Sequence, residues 1–373
     1  MKRSLAVTSI DVMITKGRTA MGISSRVWVR LFIAIGLVTV LAMAGVRLAP
    51  VFAQTAGAPE VKAVAVGVTA DPQIGGPWVI AREKGFFVAE GLPQGEVKIF
   101  PSGPASFPAF VSGDLQGNNS SEQAMLTQAA AGVRLKLVAV FSDITGVHGM
   151  LGSARVKTAK DLEGKAVGLQ KGSSAEWYTR NFCKVFGCDI TKVKILNMPP
   201  AEGVTALVNG NIDAYSSWQP FLNRALDAGK DKGLHYLHYD NTSFVAGAEG
   251  PKKIETSYGV FYVSAAFLEK NPRTVEALLR VLDKAITFIN TNKAESVKIL
   301  AAEFKQKEAD MEGQVNAVKY ALLINDERVR DIQAVADLLL AEKLIKDRVD
   351  FAKTLLEAAP LKRVKPEAVQ HGG

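Results

Sequence analysis

Ser173 and Glu176 stand three residues apart, directly after an apolar run, Ala166 to Leu169, and a turn at Gly172. A hydroxyl and a carboxylate at that spacing suit a helix start, where each satisfies a backbone N–H that has no partner inside the helix. The chemistry such a start offers is anion binding, because free N–H groups and the positive end of the helix dipole point at one spot. Ser173 and Ser174 could simply cap the helix. Trp177 and Tyr178, one turn further on, bring large rings to the same mouth and favour a ligand site.

The rest of the chain supplies similar places. A β-branched run, Val61 to Val68, is followed by the loop Thr69-Ala-Asp-Pro-Gln-Ile-Gly-Gly and a helix from about Pro77. A second strand is expected over Val97 to Phe100 and a buried one over Leu135 to Phe141. Between them Gln116 to Glu122 reads as a polar loop feeding a helix, with Ser120 and Gln123 at capping spacing. After the helix expected over 174–186 the rhythm continues through strands at 193–196, 214–216, 235–238 and 258–264. From Asn271 the pattern turns helical, with Val275, Leu278, Leu279, Leu282, Ile286 and Ile289 on one face. Beyond Val364 the tail reads as loose.

Strands and helices that alternate in this way imply an α/β fold of mostly parallel sheets flanked by helices, with ligands at the carboxyl ends of strands. The loops at those ends hold Gln73, Asn119, Ser120, Ser121, Ser173, Ser174 and Trp218, and Trp78 and Trp177 lie just after such loops. Glu122 admits two readings: a first-turn acid favoured by the dipole and pointing to water, or a carboxylate for a cationic ligand group. Ser/His/Asp triads, phosphate-cradling glycine loops and zinc spacings are absent from the sequence, and none of the four histidines falls in these loops. Neither a metal nor a cofactor is expected.

The 373 residues contain 45 Lys/Arg and 37 Asp/Glu, but the basic excess is concentrated at the start. Residues 1–53 read as a cleaved export leader: Arg26 and Arg30 precede the apolar run Leu31 to Val46, and Val51-Phe-Ala suits a cleavage site before Gln54. At 16 residues that run is short for a membrane span, which takes about 20. Without the leader 38 bases face 36 acids, so charge gives no argument for a nucleic-acid partner. In an oxidising compartment Cys183 and Cys188 could pair if Gly187 folds the chain back, or they could remain thiols; the spacing leaves both open.

An exported α/β chain with Glu83-Lys-Gly-Phe-Phe-Val-Ala-Glu-Gly-Leu, Asp161-Leu-Glu-Gly-Lys-Ala-Val-Gly-Leu-Gln-Lys-Gly-Ser-Ser and Leu207-Val-Asn-Gly-Asn-Ile-Asp-Ala-Tyr-Ser-Ser-Trp-Gln-Pro resembles the periplasmic solute-binding proteins of ABC importers. The resemblance spans nearly all of residues 60–345 and is to the branch that serves nitrate, taurine, alkanesulfonates and thiamine-pyrimidine precursors. It implies two lobes closing on a ligand: residues 60–143 with 257–360, and residues 146–245, leaving 361–373 as the tail. It also implies a cleft lined by Gln73, Trp78, Asn119, Ser120, Ser121, Gly172, Ser173, Ser174, Trp218, Gln219 and, less directly, Tyr258, with Trp177 added by its place beside the helix start. The implied role is capture of a small organic anion, sulfonate or carboxylate, by a periplasmic monomer that delivers it to an inner-membrane permease. Pyrimidine precursors, nitrate and bicarbonate are alternative ligands, and a pyrimidine-synthase-like enzyme is the alternative from another class.

Overall fold

The computed structural model describes residues 57–372, and the leader expected over 1–53 lies outside them. The strands are β1 (Ala63–Thr69), β2 (Gln94–Phe100), β3 (Gly117–Ser121), β4 (Leu135–Asp143), β5 (His148–Gly152), β6 (Ala166–Leu169), β7 (Lys194–Asn197), β8 (Ala214–Trp218), β9 (His235–Tyr239), β10 (Thr242–Ser243), β11 (Gly250–Pro251), β12 (Tyr258–Ser264), β13 (Lys319–Tyr320), β14 (Ile324–Asn325) and β15 (Val369–Gln370). They build one sheet in the order β13-β4-β12-β3-β1-β2 and a second in the order β11-β10-β9-β5-β8-β6-β7. The chain leaves the first sheet after Asp143, enters the second at His148, and returns between Pro251 and Tyr258.

Where a helix bridges successive strands, the pairing is parallel: β1 with β2 and β3, β6 with β7 and β8. The strands that follow the two passages between sheets, β5 and β12, have no crossover helix before them and run antiparallel to both neighbours. β1 is apolar on both faces because helices cover both, and Val66 and Val68 are fully buried. The helix Pro272–Thr291 buries the face read from its periodicity, Val275 through Ile289. Among the described residues no helix is long and apolar enough to cross a membrane.

Two expectations are corrected. The segment read as a polar loop before Glu122 is β3, a strand in the middle of the first sheet with every residue buried. Asn118 donates to Ser106 and Tyr262, and Asn119 bonds Trp78 and the Gly67 carbonyl, partners in a core that periodicity could not reveal. The tail is not loose. A short helix, Ala359–Val364, buries Leu361, and β15 pairs in parallel with β14. Arg363 and Lys365 reach Glu276 and Asp283 on the helix Pro272–Thr291, at 2.5 and 2.6 Å.

The helix Ser174–Phe186 ends at Gly187, whose φ of +84° turns the chain so that its N–H and that of Cys188 both bond the Cys183 carbonyl. Cys183 and Cys188, with Cα atoms 4.5 Å apart, are joined in a disulfide. A loop this short removes little chain entropy, so Cys183→Ala/Cys188→Ala should cost about 2 kcal/mol. Urea unfolding of the oxidised and double-alanine proteins measures this, and equal midpoints would contradict it.

Candidate functional site

The ends of β1, β3, β6 and β8 and the start of the helix after β2 converge on one small, partly open pocket. The first sheet's side of it is Thr69, Asp71, Gln73 and Ile74 from the loop after β1, Gly103 and Pro104, and Ser121 with Ala124. Ile144 and Val147 belong to the outgoing passage, and His148, Ser173, Ser174 and Trp218 complete the wall from the second sheet. Three helices start on it: Gly103–Ser112, Glu122–Ala130 and Ser174–Phe186. Pro104 suits the first turn of one, whose leading N–H groups lack intrahelical partners in any case. Ser121 caps the second by accepting the Ala124 N–H at 3.5 Å. Ser173 caps the third through the Ala175 N–H at 3.2 Å, while Glu176 accepts the Gly172 N–H rather than that of Ser173, at 2.9 Å. The capping box is thus displaced by one residue.

Three buried polar atoms of the wall have no hydrogen-bond partner among the described residues: Trp218 Nε1, a donor, Gln73 Oε1, an acceptor, and the Thr69 hydroxyl. Gln73 also crosses between the sheets, its Nε2 donating to the Gln219 carbonyl at 2.7 Å. Arg224 reaches the Phe304 carbonyl at 2.9 Å and Arg180 pairs with Glu342 at 3.3 Å, so three contacts hold the second sheet's helices to the first sheet's.

Of the residues expected in the cleft, Gln73, Ser121, Ser173, Ser174 and Trp218 line this cavity. The others are elsewhere. Trp78 is fully buried between Phe87 and Phe261 and donates Nε1–H to Asn119 Oδ1 at 2.9 Å. Asn119 donates in turn to the Gly67 carbonyl, so both are core. Ser120 faces the opposite side of β3, its hydroxyl bonding the Ser121 carbonyl and Tyr262 Oη. Gly172 and Trp177 border an adjoining cleft with Gln123, Thr127 and Leu339, and Ser173 lines both. The Gln219 side chain turns away to Asn223 and Tyr236. Tyr258 donates to Asp331 Oδ2 at 2.7 Å beneath the Arg328 guanidinium. Tyr178 is buried, with Oη 2.5 Å from His238 Nδ1.

Glu122 does not point to water. It is buried, and its Oε2 accepts the Tyr258 N–H at 2.8 Å and the Ser257 hydroxyl at 3.2 Å, tying a helix start on the cavity to the returning passage. Burial drives its pKa well above the usual carboxylate range, against the opposing N–H bond from Tyr258.

The two titratable residues of the wall, Asp71 and His148, were not among those singled out from the sequence. Asp71 is buried, and its Oδ1 accepts the Ile74 N–H at 2.9 Å. Burial raises its pKa to about 6 against the hydrogen bonds of its own loop. His148 Nδ1 lies 2.5 Å from Glu255 Oε1, both side chains buried, so the histidine pairs across the two passages. Asp71 stood in the loop already quoted, two residues before Gln73; being an acid in a site expected to take anions, it drew no notice.

Comparison with known proteins fits this geometry. A Bacillus subtilis protein named for aliphatic-sulfonate binding is 24% identical over 301 residues, which is 78% of this chain and 85% of that one. The alkanesulfonate-binding protein SsuA from Xanthomonas axonopodis pv. citri, solved with MOPS, superposes with a TM-score of 0.65 at 22% identity, over 84% of this chain and 99% of its own. The periplasmic nitrate-binding protein NrtA from Synechocystis PCC 6803 gives 0.67 at 16% identity, over 83% and 90%. The fold is therefore that of the two-lobed periplasmic binding proteins. With residues 75–296 matched by the family described as NMT1/THI5 like, the chain belongs to that family.

Proposed function

We propose that this is an extracytoplasmic solute-binding protein, without catalysis of its own, that holds a small sulfonate or carboxylate between its lobes and hands it as a monomer to an ABC permease in the membrane. The observation that carries this reading is the convergence of three helix N-termini on one buried cavity with an unpartnered indole N–H. Backbone N–H groups and helix dipoles stabilise an oxyanion there without a basic side chain. The names borne by the B. subtilis and Xanthomonas relatives support the ligand class, and export by the expected leader supports a periplasmic setting. Enzyme chemistry of the pyrimidine-synthase type would need a lysine to anchor its cofactor and free thiols. No lysine lies in the cavity wall, and Cys183 and Cys188 are bonded to each other.

A thermal-shift panel on the leaderless protein tests the proposal, with alkanesulfonates, taurine, aromatic sulfonates, carboxylates, nitrate, bicarbonate and aminopyrimidines. A ligand at a hundredfold its Kd adds about 2.7 kcal/mol to stability. The expected result is a raised Tm with a sulfonate or carboxylate, a change in Trp218 fluorescence and no consumption of the ligand. A shift with nitrate or an aminopyrimidine alone would replace the ligand class, and turnover would overturn the binding-protein reading.

A further inference from the structure

The charges around the cavity do not suit a simple anion. Among the described residues no lysine or arginine lines it; its ionisable lining is Asp71 and His148, and His148 is already matched by Glu255. Asp71 is 1% exposed and is left without a basic partner, since its Oδ1 bond is to a backbone N–H. A ligand carrying only negative charge would sit against this carboxylate in a site that excludes water, where repulsion between like charges is strongest. The same wall offers a second acceptor beside it, the unpartnered Oε1 of Gln73.

We propose that the ligand is a zwitterion: its anionic end lies on the helix starts and the Trp218 N–H, and an ammonium group at its other end is held by Asp71 and Gln73 Oε1. This rests on the solute-binding reading above and makes Asp71 the residue that selects among anions. An ammonium donates to both acceptors at once and supplies the countercharge that a buried carboxylate needs. The raised Asp71 pKa is what such a site shows before its cation arrives, and the bound amine draws it down again. The ionisable groups facing Asp71 are His148 from β5 and the Tyr320 phenol from β13, whose hydroxyl bonds the Pro72 carbonyl.

The test compares matched pairs by calorimetry on the leaderless protein: taurine against ethanesulfonate, and β-alanine against propionate. Each pair differs by the amine, so the contribution of the anion site cancels. The expected result at pH 7.5 is a preference of about tenfold or more for the amine-bearing member, the size of one charge-assisted hydrogen bond. Asp71→Asn should remove the preference while the amine-free member binds as well as before or better. In the unmutated protein the preference should shrink between pH 7.5 and 5 as Asp71 takes up its proton. Equal affinity within each pair would overturn the inference and leave the proposed function standing. Failure of all four to bind, with nitrate or an aminopyrimidine alone raising the Tm, would overturn the inference and replace the ligand class of the proposed function as well.

Discussion

Replacing Trp78 by alanine should destabilise the protein by about 3–5 kcal/mol and leave its ligand affinity, measured where the variant is folded, nearly unchanged. The reason is the ring's position. It is fully buried, 6.0 Å from the Phe87 ring and 5.0 Å from the Phe261 ring, and it joins the helix Gly76–Glu83 to β12 across the sheet. Truncation removes a large apolar surface and opens a cavity that the flanking rings cannot fill by small shifts. It also strips Asn119 Oδ1 of its donor in the middle of β3. Urea unfolding followed by circular dichroism measures the loss, and calorimetry measures the affinity. An unchanged midpoint with abolished binding would return Trp78 to the cleft, where its place beside a strand-end loop first suggested it belonged. Trp218→Ala should weaken the ligand as well as the fold, because that ring is packed on Phe221 and also lines the pocket.

Asp71→Asn should make the unliganded protein more stable above neutrality. The folded-state pKa of Asp71 is raised from 3.8 to about 6, so the folded chain holds a proton that the unfolded chain releases sooner. The sign follows from linkage: this group's contribution is fully present below pH 3.8 and is lost as the pH rises through 6. Above that point the carboxylate costs the empty protein about 3 kcal/mol relative to a neutral isostere, at 1.36 kcal/mol per pH unit. Asparagine keeps an oxygen for the Ile74 N–H and carries no charge. The variant's urea midpoint should therefore exceed the parent's at pH 7.5, and the two curves should merge towards pH 4. Parallel pH profiles for the two proteins would show that Asp71 ionises in the fold as freely as in water. A binding residue that destabilises its own empty scaffold is a familiar exchange of stability for function.

Most of the architecture was readable because strand–turn–helix units announce themselves in order: apolar run, glycine or proline, capping serine. Ser121, Ser173, Ser174 and Trp218, expected at strand ends, line one pocket for the same reason, since the ends of parallel strands gather in one place. β3 escaped because Gly-Asn-Asn-Ser-Ser carries no hydrophobic signal. Its burial depends on Asn118 reaching Ser106 and Tyr262, and on Asn119 reaching Trp78, partners that lie far away in sequence. Glu122 was misread for a related reason. Its spacing suits a solvated first-turn acid, and only the returning passage, more than 130 residues on, supplies the N–H that holds it inside. His148 could not be distinguished from a packing histidine until Glu255 stood beside it. The tail looked loose because no run of apolar residues passes through it, yet Leu361 and Ala368 are enough to dock it when Glu276 and Asp283 wait on the neighbouring helix.

The bonds from Glu122 to Ser257 and Tyr258 decide which parts of the cavity travel together. They fasten the helix that begins at the pocket to the strand that re-enters the first sheet, and Asp71, Gln73, Gly103 and Ser121 stand on that sheet's side of the pocket. The second sheet's share, His148, Ser173, Ser174 and Trp218, then acts as a cover. Under the proposed function the first sheet's side would receive the solute and the second sheet's side would set its residence time, the two being joined where Gln73 donates to the Gln219 carbonyl.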